Sequence, residues 1–245
     1  MKKLISFSVY GPHSLYNDGA YENIAEAEEY FPGWICRFYC QKDAPIVDKL
    51  LEEQNKGRCE VVLMPPEFGA KGMFWRFYAF GDPDASHIIS RDTDSRLSDK
   101  DYKAVTTWVQ SNKIAHRIHD DAVQINLKIM GGALGIRGNV LSNIEQLIND
   151  WLNRLHGKTI GEKISDTGRT HLLYGADQRF LSDVVWPIIC NDCMTHGLLG
   201  LPFSPHQPLK WGGDCMFSRI MPFTENKKVF GPRPGCAYES EAKTN

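Results

Sequence analysis

Short apolar runs, each closed by Gly or Pro and separated by stretches of helical spacing, most constrain how this chain can fold. Leu4–Tyr10 ends at Gly11-Pro12, Trp34–Tyr39 follows Pro32-Gly33, Glu60–Met64 ends at Pro65-Pro66, and Ser86–Ser90 runs into a polar turn. Between them lie helical patterns. Asn23–Tyr30 is one. A second has Asp43 as its cap, Pro45 in its first turn, a stripe of Ile46, Val47, Leu50 and Leu51, and a stop at Gly57. This alternation predicts an α/β fold, a mostly parallel central sheet flanked by helices. Farther on, aromatic-rich Gly72–Phe80 reads as a short helix, and Ser98 caps a helix with Val105, Trp108 and Val109 inside. Val140–Leu155 carries the strongest helical stripe: Val140, Leu141, Ile144, Leu147, Ile148, Trp151, Leu152 and Leu155. Another helix follows Gly175 with Phe180, Leu181, Val184 and Val185 inward, and from Gly197 the chain is expected to be irregular and to wrap back over the core. Trp75, Trp108, Trp151 and Trp186 are expected to face the core.

A length of 245 residues suits one large α/β domain. The formal net charge of −2 argues against a protein that mainly grips nucleic-acid phosphate. The apolar run after Lys2-Lys3 stops at Gly11-Pro12, too soon for a secretory signal, and no stretch reaches the roughly 18 apolar residues of a spanning helix. The expectation is a soluble, cytoplasmic protein. Seven scattered cysteines fit a reducing compartment and buried thiols. Cys36 with Cys40 and Cys190 with Cys193 have spacings open to zinc, but a strand would point both Cys36 and Cys40 to one face, and ordinary core cysteines are the better reading.

The sharpest chemical feature is Asp92-Thr93-Asp94, directly after the buried run His87-Ile88-Ile89-Ser90. In open α/β sheets, ligands gather beyond the carboxyl ends of strands. Two carboxylates at i and i+2 there can share one hard divalent cation, Mn²⁺ or Mg²⁺, which keeps positions for phosphate oxygens. An Asp-x-Asp triplet is also common in solvated turns; its place after a buried strand, flanked by Arg91 and Arg96, favours the metal reading. An aspartate-nucleophile phosphatase and a calcium-binding EF loop both fail at Arg96-Leu97.

The stretch Ile88–Arg96 resembles the metal motif of GT-A-fold glycosyltransferases, in particular the small chlorella-virus capsid-glycosylating enzymes and their bacterial relatives. Trp75-Arg76-Phe77, Ile129–Gly135 and Tyr174–Leu181 agree in order and spacing, so the likeness covers about residues 3 to 200. It implies a single GT-A-like domain over 1–245, with a nucleotide-binding half over 1–97 and a sugar and acceptor half over 98–245. It implies a metal-dependent transferase of a hexose or deoxyhexose from a nucleotide sugar, with UDP as nucleotide, to a glycan or protein-linked glycan.

Position by position, the resemblance places Ser8, Val9 and Tyr10 against the nucleoside. Arg76 and Arg91 fall with the donor-binding side chains, beside Asp92 at the diphosphate, although a surface salt bridge explains Arg76 equally well. Gly131 and Gly132 would let backbone approach the donor sugar, although a tight turn also explains them. Asp177 would stand beside the anomeric carbon, as in retaining glycogenin-like transferases, although a carboxylate at a helix start is also a plain capping group. Asp120 can bind acceptor hydroxyls or act as a base, and a solvated turn explains it equally well. The segment His196-Gly197 with Lys210-Trp211 is similar to the late segment of retaining GT-A enzymes. It makes His196 a third metal ligand beside Asp92 and Asp94, with His206 as fallback. Two other classes stay open: a nucleotidyltransferase, whose Gly-rich basic loop Gly11-Pro12-His13-Ser14 does not match, and a non-catalytic carbohydrate-binding protein on the same scaffold.

Overall fold

A computed structural model describes residues 1–66, 70–119, 128–155, 175–198 and 218–223. Its strands are β1 (Lys2–Val9), β2 (Ile35–Gln41), β3 (Cys59–Met64), β4 (Ala85–Ser90), β5 (Ala115–His119), β6 (Leu134–Arg137), β7 (Cys193–Leu198) and β8 (Ser218–Phe223). They form one sheet in the order β3-β2-β1-β4-β6-β5-β7-β8. β6 runs antiparallel to both of its neighbours and the other pairings are parallel. The expected α/β class with a mostly parallel, helix-flanked sheet is what forms.

Side chains alternate along each strand, so each strand feeds two cores. Ile5, Phe7 and Val9 of β1 face α1 (Ser14–Tyr30), α2 (Val47–Asn55) and α3 (Asp99–Val109), burying Ala20, Ile24, Leu50, Val105 and Trp108. Leu4 and Ile88 face the other way, onto a 3₁₀ segment (Ala70–Gly81), α4 (Ile144–Arg154) and the helical stretch over 176–189, where Phe74, Phe77, Trp151 and Phe180 meet. Trp75, Trp108, Trp151 and Trp186 are all buried. Cys36 and Cys40 lie in the α1–α3 core, whereas Cys193 lies in the opposite one with Cys190 against it, so the two pairs are separated by the sheet. Among the described residues no helix is long and apolar enough to cross a membrane.

Several elements differ from the sequence reading. α1 begins at Ser14, because His13 accepts a hydrogen bond from the Leu15 amide and caps it; the polar first turns hid that start. α2 starts at Val47 after Ile46, while Asp43 instead accepts from Gln41 Nε2 at 2.8 Å. The regular part of α4 starts at Ile144, since 138–143 is a turn. The short helix expected over Gly72–Phe80 does form, as a 3₁₀ segment over Ala70–Gly81. Four strands, β5 to β8, went unread: β5 is Ala-His-Arg-Ile-His, polar at most positions, and β6 has four residues. β8 also lies within the stretch expected to be irregular.

Candidate functional site at the carboxyl edge of the sheet

Because β1 and β4 are parallel neighbours, their ends come together: Tyr10 follows β1, and Asp92–Asp94 follows β4. β6 is antiparallel, with Leu134 opposite Ser90, so the turn Gly131–Ala133 that precedes it arrives at the same edge. Asp177, in the short helix α5 (Ala176–Phe180), closes the group.

Arg76 is the hub. Ser6 Oγ donates to its carbonyl at 2.7 Å, and its amide donates to Ser8 Oγ at 2.9 Å, so two polar residues on one face of β1 fix the 3₁₀ segment to the sheet. The guanidinium then bridges two carboxylates, bonding Asp92 through Nη1 and Asp177 through Nη2, the latter at 2.9 Å. Arg76 is buried, and its Nε has no hydrogen-bond partner among the described residues. Burial raises the Asp177 carboxyl; the Arg76 charge opposes that rise and the Asp92 charge adds to it. Burial likewise pushes the Tyr10 phenol upward, against the pull of Arg76.

Gly131 and Gly132 form the floor. A Cβ at Gly131 would run into the Arg76 guanidinium, and one at Gly132 into the Asp92 carboxylate. Ser90 Oγ donates to the Gly131 carbonyl. The Gln178 amide, oriented to satisfy both groups, donates to Ile129 O at 3.0 Å and accepts from Gly131 N at 3.1 Å. Ser6 and Ser90 were not singled out from the sequence. Ser6 and Ser8 left a signal, two hydroxyls at i and i+2 in an otherwise apolar strand, which sets them on one face.

Tyr10, Arg76, Asp92, Gly131, Gly132 and Asp177 are thus gathered, with Asp94 buried in the same loop as Asp92. Three expectations change. Val9 is wholly buried in the α1–α3 core, so its side chain cannot lie against a nucleoside, and the Ser8 hydroxyl is bound to the Arg76 amide. Arg91 does not face a donor: its Nε and Nη2 bond both oxygens of Asp101 at 2.9 and 2.8 Å, and Nη1 donates to the carbonyls of Ser90 and Leu134. Strand alternation turned it toward α3.

His196 is the third. In β7 it shares register with Ile118, and its Nδ1 lies 3.4 Å from that of His116, whose ring stacks on Trp108 of α3 at 5.0 Å. That places His196 on the α1–α3 side of the sheet, whereas Arg76 and Asp177 lie toward the opposite layer. Among the described residues no group of three or more His, Cys, Asp or Glu comes together as a metal cage. Burial pushes His196 down to about 4. Asp120, His206, Lys210 and Trp211 lie outside the described residues.

The side chains that would hold an ion, Asp92 and Asp94, offer hard oxygen, and the absence of a Cβ at Gly132 lets the Asp92 carboxylate lie against the glycine turn. That fits Mg²⁺ or Mn²⁺ completed by phosphate and water oxygens.

No protein-family model and no curated protein matches the sequence. Among solved structures, the chain is similar to S. aureus TarS 1-349 with TM-score 0.46 and 11% identity, over 59% of this chain and 49% of that one. It is similar to a glycosyltransferase involved in glycosylation of the major capsid of PBCV-1, with TM-score 0.43 and 11% identity, over 82% and 86%. A putative glucose-1-phosphate thymidylyltransferase from Bacillus anthracis matches with TM-score 0.43 and 15% identity, over 63% and 83%. Structures described as glycosyltransferases recur among the matches. The chain spans about half the length of the TarS chains it matches.

Proposed function

We propose that the chain is a metal-dependent glycosyltransferase that takes a hexose or deoxyhexose from a nucleotide sugar, with UDP as the nucleotide, and delivers it to a glycan or protein-linked glycan. One observation carries the reading: a single buried guanidinium, Arg76, is shared by Asp92 and Asp177 over a glycine floor at the carboxyl edge of the sheet. Two carboxylates on one arginine leave excess negative charge, which suits a divalent cation. Asp92 and Asp94 would hold Mn²⁺ or Mg²⁺, and the bound ion would neutralise charge on a departing nucleotide diphosphate.

The chain's own groups supply the rest. Tyr10, half-buried against Trp75 at 5.8 Å, offers a ring edge to the nucleoside. Arg76 presents a planar fork to phosphate or sugar oxygens. Gly131 and Gly132 let the sugar approach the backbone. Asp177, bonded to Arg76, would stand beside the anomeric carbon in a retaining course. Asp120 would serve the acceptor. Residues 1–97 give the nucleotide its surroundings, and 98–245 supply the glycine turn, Asp177 and the acceptor side.

The test is a thermal-shift panel of nucleotide sugars with and without Mn²⁺, since a ligand that binds only the folded state raises its stability. A UDP-sugar should shift melting only with the metal, and the first product should keep the donor's anomeric configuration by proton NMR. Shifts from nucleoside triphosphates with sugar 1-phosphates, and none from nucleotide sugars, would instead make it a nucleotidyltransferase.

A further inference from the structure

α1 carries an asparagine, Asn23, that is wholly buried in the middle of its inner face. An apolar residue would suit a helix interior facing a core better, and a buried amide is retained only where its hydrogen bonds are made. Asn23 makes them to the loop that carries the two aspartates. Its Nδ2 donates to the Ser95 carbonyl at 2.9 Å and to the Gly19 carbonyl at 2.8 Å, and its Oδ1 accepts from the Leu97 amide at 3.2 Å.

The same seam is held twice more. Arg96 Nη1 donates to the carbonyls of Thr93 at 3.0 Å and Ser95 at 3.3 Å, while its guanidinium pairs with Glu22 and Glu26 of α1. Gly19 lets the loop lie directly on the helix, because a Cβ there would collide with the Thr93 carbonyl and crowd the Arg96 guanidinium. Within the loop, the Ser95 amide donates to the Asp92 carbonyl at 3.2 Å.

We infer that Asn23 is a positioning residue for the Asp92–Asp94 loop: by holding Ser95 and Leu97 on α1, it sets where the two carboxylates stand. The inference rests on the proposed donor site, and it makes metal affinity a property of a helix that carries no ligand. Arg96 and Gly19 act in the same seam.

The experiment compares the full chain with its Asn23→Ala and Arg96→Ala variants by two measurements. One is amide hydrogen exchange over residues 91–97; the other is Mn²⁺ affinity in the presence of UDP by calorimetry. Exchange over 91–97 should quicken in both variants while β1 and β4 keep their protection, and Mn²⁺ binding should weaken about tenfold, the scale of one buried hydrogen bond. Asn23→Asp keeps the acceptor for Leu97 but turns an acceptor oxygen toward the Ser95 and Gly19 carbonyls, so it should weaken binding at least as much as Asn23→Ala. If Asn23→Ala does not fold, Arg96→Ala and Asn23→Asp carry the comparison. Unchanged exchange over 91–97, or quickened exchange with unchanged Mn²⁺ affinity, overturns the inference. A wild-type chain that binds no Mn²⁺ with UDP overturns the donor-site reading instead, and the exchange data still decide whether Asn23 holds the loop.

Discussion

Two buried arginines, Arg76 and Arg91, stand on opposite sides of the same sheet and meet aspartates in different ways. Arg91 is closed. Its fork lies on both oxygens of Asp101, its remaining Nη1 reaches two carbonyls, and both residues are at most 1% exposed. One charge meets one charge, and the guanidinium nitrogens are occupied. Arg76 is open. It divides itself between Asp177, whose side chain is 4% exposed, and Asp92, whose side chain is 34% exposed, and its Nε has no partner among the described residues. A neutral, fully bonded pair gains nothing from a ligand. On the proposed reading, a cation shared by an excess of carboxylate, with Asp92 part-exposed, does, because a metal and diphosphate would complete the charge balance. Burial alone therefore does not distinguish a binding arginine from a structural one; the balance of its partners does.

The largest expected effect breaks the open side. Replacing Asp92 and Asp94 together by Ala should lower sugar transfer by about 10³-fold or more, several kcal/mol of lost charge stabilisation, while urea unfolding stays close to wild type. Transfer that survives this change in the presence of a chelator would show that the unbalanced carboxylates are not the metal site.

The closed side should respond in the opposite sense, through stability. Arg91→Met leaves Asp101 buried and unpaired and should lower the unfolding free energy by about 3–5 kcal/mol, whereas Arg91→Met with Asp101→Leu should regain most of that loss. Urea titrations of the single and double variants decide it. A single variant as stable as wild type would erase the distinction drawn between the two arginines.

The smallest effect concerns acid, and it sharpens the contrast on the Arg91 side. Burial holds His196 and His87 at about 4, and His116 well below its ordinary value. The unfolded chain binds these protons near 6.5 and the folded chain does not, so stability is full above about 6.5 and falls as pH drops toward 4. Unfolding midpoints measured from pH 7 to 4.5 should decline, and His196→Gln should decline less steeply. An identical slope would mean that His196 already takes up its proton in the folded state.

Much of this arrangement was legible in the residues. The alternation of closed apolar runs and helical stripes fixed the class, since the periods of strand and helix are local properties. Asp92 and Asp94 could be placed at a strand end for the same reason, and the residues nominated with them at Tyr10, Arg76, Gly131, Gly132 and Asp177 do converge. β5 could not be read because Ala-His-Arg-Ile-His shows no apolar period; its polar side chains are buried by neighbours far along the chain.

What the sequence determined by itself was periodicity and therefore the strand ends where chemistry can collect. What only the tertiary structure decided was the side of the sheet to which each polar residue turns. Arg91 adjoins Asp92 in sequence yet turns to Asp101, and His196 meets His116, whose ring stacks on Trp108. Neighbouring strand residues point to opposite faces, and the partner that satisfies a buried charge is set by which helix covers that face, a long-range contact that no local spacing encodes.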